Sequence, residues 1–131
     1  MSSRTIRIGL VGCGVVGTGV LAILRSHAAT IEKRLGASLA VEQIAVRNPG
    51  RKRADVVPAG ILTGDPLAVA RNPKVDIVVE VMGGIELAEQ VVREALEHGK
   101  QVVTANKALL ALALTLALAL TLTPALMLTL T

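Results

Sequence analysis

Apolar positions change period along this chain, and each change marks an element. Residues 6–11 form a short β-branched run that stops at glycine, as a strand buried in a parallel sheet does. From Val16 the period lengthens. Val16, Val20, Ile23, Leu24, Ile31 and Leu35 recur at helical spacing, Glu32, Lys33 and Arg34 fall on the other side, and Gly36 is placed to stop the helix. One long helix is the expectation. A second strand is expected at 41–46, then a basic, breaker-rich loop running from Arg47 to Arg53, and a weak strand near 61–63. Asp65 and Pro66 read as the N-cap and first residue of a short helix closed by Asn72 and Pro73. Residues 77–81 are the most strand-like run. Gly83 and Gly84 end it, residues 86–98 make an amphipathic helix capped by Gly99, and a last strand at 101–104 arrives at Asn106 and Lys107. Strands alternating with helices predict a doubly wound parallel α/β sheet with right-handed crossovers.

The pattern then changes character. Residues 108–131 carry no charge, and from Leu110 to Leu122 leucine holds every even position with Ala or Thr at the odd ones. All of the charged side chains therefore lie in residues 1–107, which read as the folded domain, incomplete at its C-terminal end; 108–131 read as a low-complexity tail. Period two is strand patterning, whereas Leu and Ala favour helices, and the tail is expected to be helical. Three roles compete for it: a truncated substitute for a lost helix packed partly on the sheet, which is preferred; a membrane anchor, since 24 uncharged residues can span; and an aggregation-prone strand. Pro124 and five threonines argue against the anchor. A chain of 131 residues is about one domain, and without Phe, Tyr or Trp its core must be Val, Ile, Leu and Ala.

Gly12, Gly14 and Gly17 form GxGxxG between the first strand and the first helix, the setting in which that motif binds a dinucleotide. The first glycine permits the turn, the second admits a pyrophosphate to the backbone, and the third lets the helix pack close. Val15, Val16 and Gly17 supply free N–H groups at the positive end of the helix dipole. The fold class is thus Rossmann-type. At the end of the second strand, where NAD-binding units carry Asp or Glu for the ribose hydroxyls, this chain has Arg47, a better partner for a 2′-phosphate. NADP is favoured and NAD remains possible. Arg51 could add to that field, while Lys52 and Arg53 are expected to be solvated. Nucleic acid is not expected as a partner, because no aromatic is present to stack a base.

The stretches IRIGLVGCGVVGTGVL, IAVRN, VDIVVEVMGGIE and VVTANKALL, in this order, closely resemble the N-terminal nucleotide-binding domain of homoserine dehydrogenase over residues 4–110. The resemblance implies an NAD(P)-dependent oxidoreductase that interconverts L-homoserine and L-aspartate 4-semialdehyde on the route to threonine, methionine and isoleucine. It implies a nicotinamide pocket lined by Val81, Met82, Gly83 and Gly84 and by Thr104, Ala105 and Asn106, with Lys107 as the motif lysine beside nicotinamide and substrate. An ammonium there could stabilise charge on a carbonyl oxygen or pass a proton. The family continues into a substrate and dimerisation domain with a metal-binding loop. No counterpart follows in this sequence, so the chain is expected to bind cofactor without turnover and without the family's homodimer interface.

Other residues take plainer readings. Cys13, the single cysteine, excludes an internal disulfide and fits a reducing compartment, taken as the cytoplasm; it is expected to be a packed side chain. The N-terminal run is too short and too charged for a secretory signal, and no membrane association is expected. His27 is placed on the apolar face of the first helix and His98 at the end of another. Two isolated histidines predict no metal site. Glu80 interrupts an apolar strand and is either hydrogen-bonded at the sheet's carboxyl edge or part of the pocket.

Overall fold

The computed structural model describes residues 4–106, Leu109 and the backbone of residues 127–129. Among the described residues six strands form one parallel sheet: β1 Arg4–Val11, β2 Ala37–Ala45, β3 Leu62–Thr63, β4 Ile77–Glu80, β5 Gln101–Thr104 and β6 Met127–Thr129. Their spatial order is β3-β2-β1-β4-β5-β6, so the chain steps outward from β1 in one direction and then returns to build the other half. That reversal beside β1 is where open α/β sheets form a ligand crevice, at the carboxyl ends of the strands.

Alternation along the strands divides the core between two faces. Ile8, Leu10, Ile44 and Val79 pack with Leu21 of helix α1 (Val15–Ser26) on one side. Val11, Ala45, Val78 and Val102 pack on the other against α3 (Pro66–Arg71) and α4 (Glu86–Glu97), through Val69, Val91, Val92 and Leu96. The buried residues of both clusters are aliphatic, as a chain without aromatics requires. Gly9 leaves room for Val69 and Val75 to lie against β1. On the surface, Arg71 donates through Nε and Nη2 to the Glu94 carboxylate at 3.1 and 3.0 Å and ties α3 to α4.

Local signals account for the element ends. The Asp65 carboxylate accepts the Leu67 N–H at 3.0 Å, with Pro66 in the first turn of α3. Gly36 (φ 68°) and Gly99 (φ 73°) adopt the left-handed conformation that closes α2 (Ala28–Leu35) and follows α4. His98 stands at the C-terminus of α4, where Nδ1 lies 2.7 Å from the Glu94 carbonyl.

Four expectations are corrected. The long first helix is two, α1 and α2 (Ala28–Leu35), separated at His27, whose φ of −112° and ψ of 16° leave the helical region. No buried residue lies in α2, and Ile23 and Leu35 are 58% and 56% exposed, so the apolar stripe is only partly drawn into the core. His27 is exposed and hydrogen-bonded to Ser26, not on a buried face. The second strand begins at Ala37, since pairing along β1 extends it to Arg4↔Ala37, and the fourth ends at Glu80. Beyond β5 lies β6, parallel to it with Val103↔Leu128 in register. The expectation of a helical tail falls outside the described residues, except that Leu109 is helical and 127–129 are a strand. Among the described residues, no helix is long and apolar enough to cross a membrane.

Candidate functional site

The three glycines between β1 and α1 stand in three different environments. Gly12 has φ +96°, and a Cβ on it would lie 2.7 Å from the Met82 Cα and 2.8 Å from the Met82 nitrogen. Only glycine lets this turn pass so close to the end of β4. At Gly17 a Cβ would lie 2.5 Å from the Gly12 carbonyl oxygen, so the helix is packed directly on the turn. Gly14 differs from both, because a Cβ there would meet nothing within 4 Å. Its bareness answers no packing demand from the protein. It faces open space at the start of α1, where it is the N-cap and its carbonyl accepts the Thr18 N–H at 3.0 Å. The first helical N–H groups, those of Val15, Val16 and Gly17, precede any possible i−4 partner inside the helix. The first turn carries no acidic side chain and no side-chain cap, so the positive end of the dipole is open to an anion.

A cleft of about 600 Å³ opens above this turn. Gly12 and Gly14 form its floor, with Arg47, Arg51 and Arg53 toward β2 and Met82, Gly83 and Gly84 after β4. The structure therefore gathers the glycine turn, Arg47 and the β4 loop around one cavity. Arg53 corrects an expectation: it is half-buried, lines the cleft, and donates through Nη1 to the Arg51 carbonyl at 2.9 Å, whereas Lys52 is exposed and does not line it. Sequence reasoning also missed Ile85 and Leu87, which are 59% and 41% exposed and supply apolar surface to the same cleft. Their signal was the GGIEL that follows β4.

Val15 is 93% exposed beside the turn, and Val16 is 51% exposed. Cys13 is half-buried with Sγ 3.8 Å from the Thr18 hydroxyl, in the position of a packed side chain. Thr104 and Asn106 do not line the main cleft. Thr104 is buried and donates its hydroxyl to Glu80 Oε1 at 2.7 Å, while Asn106 donates through Nδ2 to the Gly84 carbonyl at 3.2 Å. Glu80 is 1% exposed and hydrogen-bonded at the sheet's carboxyl edge, which decides between its two readings. Lys107 lies outside the described residues. Among the described residues, no three His, Cys, Asp or Glu side chains gather in a group that could hold a metal.

A family model described as "Homoserine dehydrogenase, NAD binding domain" matches residues 12–122. The chain belongs to this family. Curated homoserine dehydrogenases agree: that of Pseudomonas aeruginosa is 44% identical over 108 residues, covering 82% of this chain and 24% of its own length. That of Corynebacterium glutamicum is 46% identical over 104 residues, covering 79% and 23%. The chain spans about a quarter of the length of these relatives. Among solved structures, Staphylococcus aureus homoserine dehydrogenase at pH 8.5 superposes with a TM-score of 0.84 at 33% identity, covering 98% of this chain and 32% of that one. The Thiobacillus denitrificans enzyme gives 0.81 at 38% identity, covering 96% and 29%.

Proposed function

We propose that this chain is the cofactor-holding portion of a homoserine dehydrogenase, binding NADP in preference to NAD. The observation that carries the reading is the contrast among the glycines. Gly12 and Gly17 are bare because backbone crowds them, while Gly14 is bare over open space, directly beneath which α1 presents its free N–H groups. A pyrophosphate fits that cradle, since both its charge and its need for close backbone approach are met there. When bound, the cofactor supplies or accepts the hydride exchanged with the terminal carbon of homoserine or aspartate 4-semialdehyde.

The chain's own residues divide the remaining tasks. The N–H groups of Val15, Val16 and Gly17 hold the pyrophosphate. Arg47, exposed at the end of β2, grips the adenosine 2′-phosphate, with Arg51 and Arg53 adding positive field from the same wall. The backbone of Met82, Gly83 and Gly84 and that of Thr104 and Asn106 frame the nicotinamide side. Lys107, next in sequence after Asn106, is assigned the role of the family's motif lysine, whose ammonium stabilises charge on the substrate oxygen or passes a proton to it. The reducing cytoplasm suits its single unpaired cysteine.

Fluorescence titration with NADPH and separately with NADH tests the reading against a protein free of aromatic background. Saturable binding that is tighter for NADPH is expected. Absence of binding to either would overturn the cofactor assignment, and equal affinity would overturn the phosphate role of Arg47.

A further inference from the structure

We infer that Glu80 is a positioning residue that locks the two loops on the nicotinamide side of the cleft into one unit, and that Thr104 is its partner in doing so. This rests on the cofactor reading above for its consequence, though not for its geometry. Glu80 and Thr104 are paired on the last rung of β4 and β5 and are 1% and 0% exposed. The carboxylate divides its oxygens between the loops. Oε2 accepts the Met82 N–H at 2.9 Å, in the loop after β4, and Oε1 accepts the Thr104 hydroxyl at 2.7 Å, at the start of the loop after β5. The same hydroxyl oxygen accepts the Asn106 N–H at 3.0 Å, and Asn106 Nδ2 donates to the Gly84 carbonyl at 3.2 Å. The Glu80 carbonyl also accepts the Ala105 N–H at 3.1 Å. The bonds close a ring from Glu80 through Met82 and Gly84 to Asn106, Thr104 and back.

Both carboxylate oxygens act as acceptors. A buried acid in an apolar strand is costly unless its bonds are made, so its presence here needs a function that a valine could not perform. That function is to fix the Met82–Gly84 backbone relative to Asn106. Gly83 and Gly84 have φ of +75° and +81°, and a Cβ on either would meet nothing within 4 Å, so packing alone does not hold them. The ring supplies the constraint. A nicotinamide seated between the loops is then oriented by Glu80 without touching it.

The test compares Glu80→Gln and Thr104→Val with wild type, each titrated with NADPH and with 2′-phospho-ADP-ribose, which has the phosphates but no nicotinamide. The carboxamide keeps one acceptor oxygen, so Met82 N–H or the Thr104 hydroxyl loses its partner. Both variants are expected to weaken NADPH by about tenfold and 2′-phospho-ADP-ribose by less than about twofold, the loss of a charge-assisted hydrogen bond falling on one end of the ligand. Amide hydrogen exchange without ligand should quicken at residues 82–84 and 105–106 together in both variants, with Thr104→Ser restoring the protection that Thr104→Val removes. Parallel weakening of both ligands, or faster exchange in one loop alone, would overturn the inference. If wild type binds neither ligand the cofactor reading falls, and the exchange pattern still decides the coupling by the same criterion.

Discussion

Substituting alanine at Gly12 and, separately, at Gly14 should produce opposite failures. At Gly12 the new methyl carbon must sit at φ +96°, 2.7 Å from the Met82 Cα and 2.9 Å from the Val81 carbonyl carbon. These are backbone atoms of the sheet's central region and cannot swing aside as a side-chain tip can. The dihedral strain costs about 1–3 kcal/mol, and the forced separation of turn and strand about 1–3 kcal/mol more. Even the lower sum, about 2 kcal/mol, should lower the melting temperature by about 7 °C in a chain of this size. At Gly14 the φ is −84° and nothing lies within 4 Å, so stability should move by less than about 1 kcal/mol, the scale of a changed helix N-cap. The methyl instead occupies the approach of the pyrophosphate, and NADPH affinity should fall steeply. Far-UV circular dichroism melts report the first effect, since the chain has no aromatic near-UV signal, and NADPH titration reports the second. A Gly12→Ala protein that melts with wild type would refute the close approach of turn and strand, and a Gly14→Ala protein with undiminished NADPH affinity would refute the pyrophosphate cradle.

Arg47→Ala should weaken NADPH more than NADH, because only the former carries the 2′-phosphate; equal losses in paired titrations would remove the specificity assignment. Asp65→Ala removes the acceptor of the Leu67 N–H and should cost about 1 kcal/mol in urea unfolding, and a null result would mean α3 is held by packing alone. Lys100 is buried, and its ammonium donates to the Asn72 and Val75 carbonyls at 2.5 and 2.7 Å. Lys100→Met keeps the apolar stem, strands both acceptors, and should destabilise by about 1–3 kcal/mol. Burial also pushes the Lys100 pKa below the ordinary lysine value, partly offset by Asp76. Between the depressed value and the ordinary one the unfolded chain binds more protons, so wild-type stability should rise with pH across that alkaline window. The advantage of wild type over Lys100→Met should widen there, and a constant gap would mean that the lysine titrates alike in both states.

What the sequence disclosed is what neighbouring residues decide among themselves. The glycine turn, the Asp65–Pro66 helix start, the stop at Gly99 and the strand at 101–104 each follow from a few adjacent side chains, and each stands where periodicity placed it. The break at His27 has no proline or glycine to announce it. It arises where α2, with no buried residue of its own, turns to run along β2, which a one-dimensional apolar stripe does not record. Arg53 was misread for a similar reason, since five residues of breaker-rich loop separate it from Arg47 and the fold returns it to the same wall. In the 108–131 stretch, Leu and Ala content opposed the period-two pattern, and at 127–129 the pairing available on the open edge of β5 favours the strand.

The two sides of the cleft therefore differ in how they are specified. The side proposed to hold the phosphates is backbone: a turn that only glycine can make and a helix end that offers N–H groups whatever its side chains are. Six consecutive positions from Gly12 to Gly17 contain it. The other side depends on pairs far apart in sequence, Glu80 with Thr104 and Gly84 with Asn106, 24 and 22 residues distant. These residues have no chemistry of their own to advertise, because glutamate in a strand and threonine at its end are as often structural as functional. They become a device only when β4 and β5 pair in register and bring both to the same rung. Damage to the first side should remove binding of every ligand that carries the pyrophosphate, whereas damage to the second should distinguish ligands by whether they carry the ring. A variant that fails both tests equally has lost the sheet itself.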